Sequence, residues 1–268
     1  MQLSIGLLLA VCVSYMAFRI GSLSKNGAVA ATCMGTIIFG FGGWQWAVLL
    51  LTFFIISSIF THAFKEPKMS LAGTYSKGGH RDAGQVLSNG GIPTLFVAMH
   101  IAFPQAGWPF LGFAGALAAA NADTWATEIG ILDPAGPRLI TALARRVEKG
   151  TSGGVSRVGT FAAILGSAVI GFLAMIFAGG YHLPIFALVC VSGVIGALID
   201  SVLGATVQAM YFCPAEKKET ERHPLHGCGA ETVYLRGWKW LNNDWVNVIC
   251  TGFGALISLL LAISLGQI

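Results

Sequence analysis

Charge is what this chain has least of. Asp, Glu, Lys and Arg make up 10% of its 268 residues, where a soluble domain carries about 25%. Together with 55% hydrophobic residues and a mean hydropathy of +0.72, that scarcity excludes a soluble globular protein and indicates an integral membrane one. Also missing is any basic patch interleaved with aromatics, so the formal charge of +4 gives no nucleic-acid partner. There is no Gly-Lys-Ser/Thr at Walker A spacing, no low-complexity tract and no obvious catalytic histidine. No basic stretch precedes the apolar run that begins at Leu3, and no small-residue cleavage site follows it. That run is expected to be a retained helix and not a signal peptide.

The charge that is present is unevenly placed. All sixteen Lys and Arg fall in four groups: Arg19 and Lys25; Lys65, Lys68, Lys77 and Arg81; Arg138, Arg145, Arg146, Lys149 and Arg157; and Lys217, Lys218, Arg222, Arg236 and Lys239. The connections between them, around Gly42-Gly43, Pro104 to Gly107 and Gly179 to His182, carry no charge outside histidine. Basic loops are retained in the cytoplasm, and a crossing helix needs about 20 mainly apolar residues. The apolar runs at 3–20, 27–43, 44–63, 84–103, 109–130, 158–178, 184–211 and 246–265 therefore predict an all-α polytopic bundle. It has eight transmembrane helices and both termini outside. Residues 1–268 form a single membrane domain, with 212–245 as a cytoplasmic loop. The run 27–43 is short, but removing it would set Arg19 and Lys25 opposite every other basic residue. A weak internal echo pairs Gly115-Ala116-Leu117 before Asp123-Thr124 with Gly196-Ala197-Leu198 before Asp200-Ser201. The two offsets differ by about one helical turn.

Ionisable groups inside such helices face a protein interior or a watery cavity. Asn121, Thr124 and Glu128 share one stripe of a helix, and Asp123 lies about 140° from Glu128, so one ion reaches both only if that helix is distorted. Asp200 shares a face with Gly193, Gly196 and Gly204, where a neighbouring backbone can approach. Asp82, Gln85 and Asn89 make a polar stripe at a helix start, followed by Gly90-Gly91 and Pro93. Gly150-Thr151-Ser152-Gly153-Gly154-Val155-Ser156 precedes a helix, and backbone N–H groups there suit a phosphate, with Arg145, Arg146 and Lys149 just upstream to counter its charge. Asn242-Asn243-Asp244 opens the last helix, one of them as its N-cap; Asp244 with Asn247 is also a candidate cation shell. Cys12, Cys33, Cys190 and Cys250 sit within helices as packing residues. Cys213 and Cys228 flank a loop with His223 and His226. That set is compatible with zinc, although its spacing fits no standard finger, and the question stays open.

Five ordered motifs resemble one family: R-D-x-x-Q-V-L-x-N-G-G at 81–91, A-D-T-W-A-T-E-I-G at 122–130, G-T-S-G-G-V-S at 150–156, G-A-L-I-D-S-V-L-G-A-T-V-Q at 196–208 and N-N-D-x-V-N at 242–247. It is the domain-of-unknown-function family 92, or transmembrane protein 19 family, which includes phytyl-phosphate kinases and is distantly similar to CTP-dependent phytol and dolichol kinases. The resemblance implies a lipid kinase that moves a phosphoryl group from CTP or ATP to a prenyl or phytyl monophosphate at the cytoplasmic face of the bilayer. With the residues above, it assigns catalysis to Asp82, Asn89, Asp123, Glu128 and Asp200, and Mg²⁺ to Asp123, Glu128, Asp200 and Asp244. Nucleotide binding falls to Arg81, Arg145, Arg146, Lys149, Thr151, Ser152, Gly153, Gly154, Ser156, Gln208 and Asn243. A CDP-lipid-forming cytidylyltransferase and a cation-coupled transporter would use similar parts. Bacterial inner membrane or thylakoid is the expected location.

Overall fold

A computed structural model describes residues 1–66, 79–179 and 183–268. Lys68 and Lys77, and the connection through Gly180, Tyr181 and His182, lie outside the described residues. Among those described there are eight helices: α1 Gln2–Arg19, α2 Lys25–Ile37, α3 Trp44–Ala63, α4 Ala83–Ala102, α5 Trp108–Gly130, α6 Arg157–Phe177, α7 Leu183–Thr206 and α8 Asn243–Ser264. Five of them, α1, α3, α6, α7 and α8, are long and apolar enough to cross a membrane. At 13 residues α2 is short, and it continues into a π turn at Ile38–Gly42. The lower hydropathy of α4 and α5 follows from the polar residues they carry.

Helix starts differ systematically between the two ends of the bundle. Helices α2, α4, α6 and α8 begin with side-chain caps from Ser24, Asp82, Ser156 and Asn242. Those from Met1, Gly43 and Gly107 have none. A capping oxygen satisfies N–H groups that the first turn leaves open, and here the caps gather at the end that holds the basic residues.

At the centre stands α5, packed against α3, α4, α6, α7 and α8 and buried almost continuously from Leu111 to Ala122. Small residues make this possible. A Cβ on Gly193 would meet the Ala118 carbonyl carbon at 2.8 Å, one on Gly196 would meet Ala119 Cβ at 2.6 Å, and one on Gly254 would meet the Gly115 oxygen at 2.5 Å. Helices this close associate through backbone packing and interhelical hydrogen bonds. Asn121 Nδ2 donates to the Gly166 carbonyl (2.7 Å), and Ser258 Oγ donates to that of Leu111 (2.8 Å).

The bundle is helical as expected, but the long loops add two three-stranded antiparallel sheets that apolar runs do not reveal. β1 Arg138–Leu139, β2 Ala142–Arg146 and β3 Gly154–Val155 run in the order β2-β1-β3; β4 Met210–Cys213, β5 Lys218–Thr220 and β6 Val233–Arg236 run β5-β4-β6. The run 184–211 was too long. Helix α7 stops at Thr206, where Arg236 Nη1 donates to the carbonyls of Gly204 (3.2 Å) and Ala205 (3.1 Å). A cation at a helix C-terminus satisfies its open carbonyls and its dipole together, and an apolar run cannot reveal a partner thirty residues away.

Candidate active site

A cavity of about 700 Å³ opens at the capped end of the bundle, within the size range of small-molecule sites. Its walls come from the ends of α1, α3, α5 and α7 and the starts of α4, α6 and α8, the ends that up-and-down helices bring together. Asn89, Asp123, Glu128, Asp200, Arg81, Lys149, Asn243 and the whole stretch Thr151 to Ser156 line it. The sequence thus assigned a set of residues that the fold does gather.

The carboxylates divide into two groups. Asp123, Asp200 and Glu221 are close enough to interact electrostatically. Asp200 Oδ2 is buried and, among the described residues, has no hydrogen-bond partner. Glu128, on the next face of a regular α5, accepts from Thr61 Oγ1 (2.8 Å) and interacts with Arg81. The undistorted helix separates Asp123 from Glu128. The Arg81 guanidinium donates to Ser58 Oγ (2.8 Å); burial holds it below its ordinary pKa, and Glu128 opposes that shift.

Sequence reasoning missed Glu221, which lines the cavity from the loop after β5. It accepts from Gln208 Nε2 (2.9 Å), while Ser152 Oγ donates to Gln208 Oε1 (2.9 Å). Gln208 is therefore a buried bridge between the glycine-rich loop and a cavity carboxylate and does not itself face the cavity. Thr61, His62 and Lys65 were also unassigned, though they stand where an otherwise apolar helix turns polar.

Besides Gln208, four assigned residues fall outside the cavity lining. Asp82 accepts from Gln85 N (2.9 Å) as half of a capping box that starts α4. Asp244 lies in the first turn of α8, which Asn242 caps. Arg145 and Arg146 sit exposed on β2, where Arg145 borders a second hollow with Thr151.

The start of α6 was expected to offer free N–H groups to a phosphate. Instead Ser156 Oγ accepts from Gly159 N (3.0 Å) and Asp133 Oδ2 accepts from Val158 N (3.3 Å). Asp133 Oδ1 also accepts from Ala135 N (2.9 Å). Backbone hydrogen bonds from Ala135, Val158 and Arg157, with the charge of Lys149, hold this carboxyl below the usual carboxylate range. A depressed folded-state pKa contributes stability that is present above the unfolded pKa of about 4 and is lost as pH falls through the folded value. Asp133→Asn should thus lower the melting temperature at pH 7, and the gap from the parent should narrow in melts taken below about pH 4. A gap independent of pH would show that the carboxylate charge is immaterial.

Matched against known proteins, residues 8–255 fit the family described as integral membrane protein DUF92. The chain is 30% identical to Protein PGR of Arabidopsis thaliana over 92% of each chain. It is 30% identical to an uncharacterized membrane protein of Methanocaldococcus jannaschii over 97% of this chain and 94% of that one. With Protein VTE6, chloroplastic, of Arabidopsis thaliana it shares 28% identity over 94% of this chain and 71% of that one. No solved structure matches. The family match over nearly the whole length, with relatives at 30% identity across nine-tenths of both chains, shows that this chain belongs to the integral membrane protein DUF92 family.

Proposed function

We propose that the protein is a membrane lipid kinase that transfers a phosphoryl group from a nucleoside triphosphate to an isoprenoid monophosphate, giving the diphosphate. The observation that carries this reading is the gathering of Asp123, Asp200 and Glu221, with a buried Asp200 oxygen that has no partner among the described residues, in a cavity that also holds Arg81, Lys65 and Lys149. Like-charged carboxylates repel one another when close, so such a group suits a hard divalent cation with oxygen ligands. Asp123, Asp200 and Glu221 would hold Mg²⁺, which when bound neutralises phosphate charge.

The chain's own work is positioning. Lys149 and Arg81 counter the charge of the donor phosphates, and Thr151 and Ser152 offer hydroxyls beside them. An acceptor phosphate oxygen attacks the donor's γ-phosphorus, the bond to the β,γ-bridging oxygen breaks, and the nucleoside diphosphate leaves with that electron pair. The acceptor is already an anion, so no strong general base is required. The basic residues at this end favour a cytoplasmic cavity, where a nucleotide would meet a lipid headgroup. A lining drawn from one end of the bundle favours a site over the crossing path that transport needs.

Purified protein with Mg²⁺ should release nucleoside diphosphate from CTP or ATP only when a prenyl monophosphate is supplied. Release of pyrophosphate would instead identify a cytidylyltransferase. No turnover with any nucleotide across prenyl alcohols and monophosphates would refute the kinase.

A further inference from the structure

The loop that delivers Glu221 to the cavity carries a second constellation. Cys213 ends β4, and His226 and Cys228 follow Glu221 on the return of the chain. Their ligand atoms all lie within 4.8 Å of one another. Cys213 Sγ is 3.7 Å from Cys228 Sγ, and His226 Nδ1 is 3.2 Å from Cys228 Sγ. Cys213 and His226 are buried, at 0% and 4% exposure.

We infer that Cys213, His226 and Cys228 form a metal site for zinc or a similar thiophilic divalent ion. With Zn–S bonds of about 2.3 Å, two thiolates of a tetrahedral site stand about 3.8 Å apart, which is the separation found here. A disulfide needs sulfurs at about 2.05 Å. His226 Nδ1 stands beside the Cys228 sulfur, and a neutral imidazole nitrogen is a standard partner for thiolates on zinc. Glu216 Oε1 is 3.7 Å from His226 Nδ1 and is the nearby oxygen available as a fourth ligand. His223 stays out: its ring stacks on Tyr211 with centroids 4.3 Å apart, and its Nδ1 faces Thr232 Oγ1.

The consequence is mechanical. Fourteen residues lie between the two cysteines, and Glu221 lies within that span, so a metal would clamp both ends of the segment that holds Glu221 against Gln208. The inference does not depend on which reaction the cavity performs.

Protein purified under reducing conditions should contain stoichiometric zinc by elemental analysis. After chelation, Co²⁺ should bind and produce thiolate-to-metal charge-transfer absorption. Cys213→Ser and Cys228→Ser should each abolish that absorption, and His226→Ala should weaken Co²⁺ binding at least about tenfold. His223→Ala should leave it unchanged. Titrating Co²⁺ into the chelated parent protein keeps the test decisive even if a cysteine variant fails to fold. Absence of both zinc and the cobalt band with free thiols, or a Cys213–Cys228 disulfide in the protein as isolated, would overturn the site.

Discussion

Asp200→Asn and Asp123→Asn should each give a protein that inserts and purifies normally, yet turns over at least about a hundredfold more slowly. In a chelator, both should melt at a higher temperature than the parent. The two effects have one cause. Asp200 sits among Asp123 and Glu221 with a buried oxygen that has no hydrogen-bond partner among the described residues. Removing one charge from that group relieves repulsion that a metal-free fold must bear, and an amide can find partners that a bare carboxylate oxygen lacks. The same change removes an oxygen ligand from any cation held there. Purely structural carboxylates predict the opposite sign, since breaking a buried hydrogen-bonded group destabilises. Lys239, which lies outside the cavity, supplies the control: Lys239→Ala should change neither property. Full activity in both aspartate variants would refute the site.

The legible part of this protein was the part written in local pattern. Each of the eight apolar runs matches a helix among the described residues, and the start near Asn242 could be read because capping is chosen by residues within three positions; Asp82 obeys the same rule but was assigned to catalysis. Asp123, Asp200 and Asn89 stood out because a polar group in an apolar helix has few uses. What stayed hidden depended on distant partners. Glu221 occupies an ordinary polar loop, and only the pairing of β4 with β5 and the Gln208 bridge turn it into the cavity. Asp133, which no motif singled out, closes the start of α6 from twenty-five residues away. Arg145 and Arg146 showed the converse: Arg145 does lie near the glycine-rich loop, bordering a second hollow with Thr151, yet neither residue lines the cavity itself.

Gly153→Val should cause general destabilisation and a sharp loss of folded protein, with nucleotide and lipid affinity falling together. Gly153 holds φ at +80°, and a Cβ there would lie 2.5 Å from both the N and the Cβ of Ala205. The contact is reciprocal, since a Cβ on Gly204 would lie 2.5 Å from Ser152 Oγ and 2.9 Å from Gly153 N. Loop and helix end meet backbone to backbone. A branched residue brings left-handed strain and overpacking together, each on the order of 1–3 kcal/mol. The segment it would displace, the last turn of α7, lies just beyond Asp200 and leads into Gln208. The glycine is therefore required for packing whether or not a phosphate binds nearby, and a selective loss of nucleotide affinity in a normally stable Gly153→Val protein would contradict this. The donor-binding role of the loop needs side chains that reach the cavity without holding the fold. Thr151→Val keeps the shape of the side chain and removes its hydroxyl. Nucleotide titrations should show it about tenfold weaker at an unchanged melting temperature, and equal affinity would leave the loop a scaffold for Gln208 and Glu221.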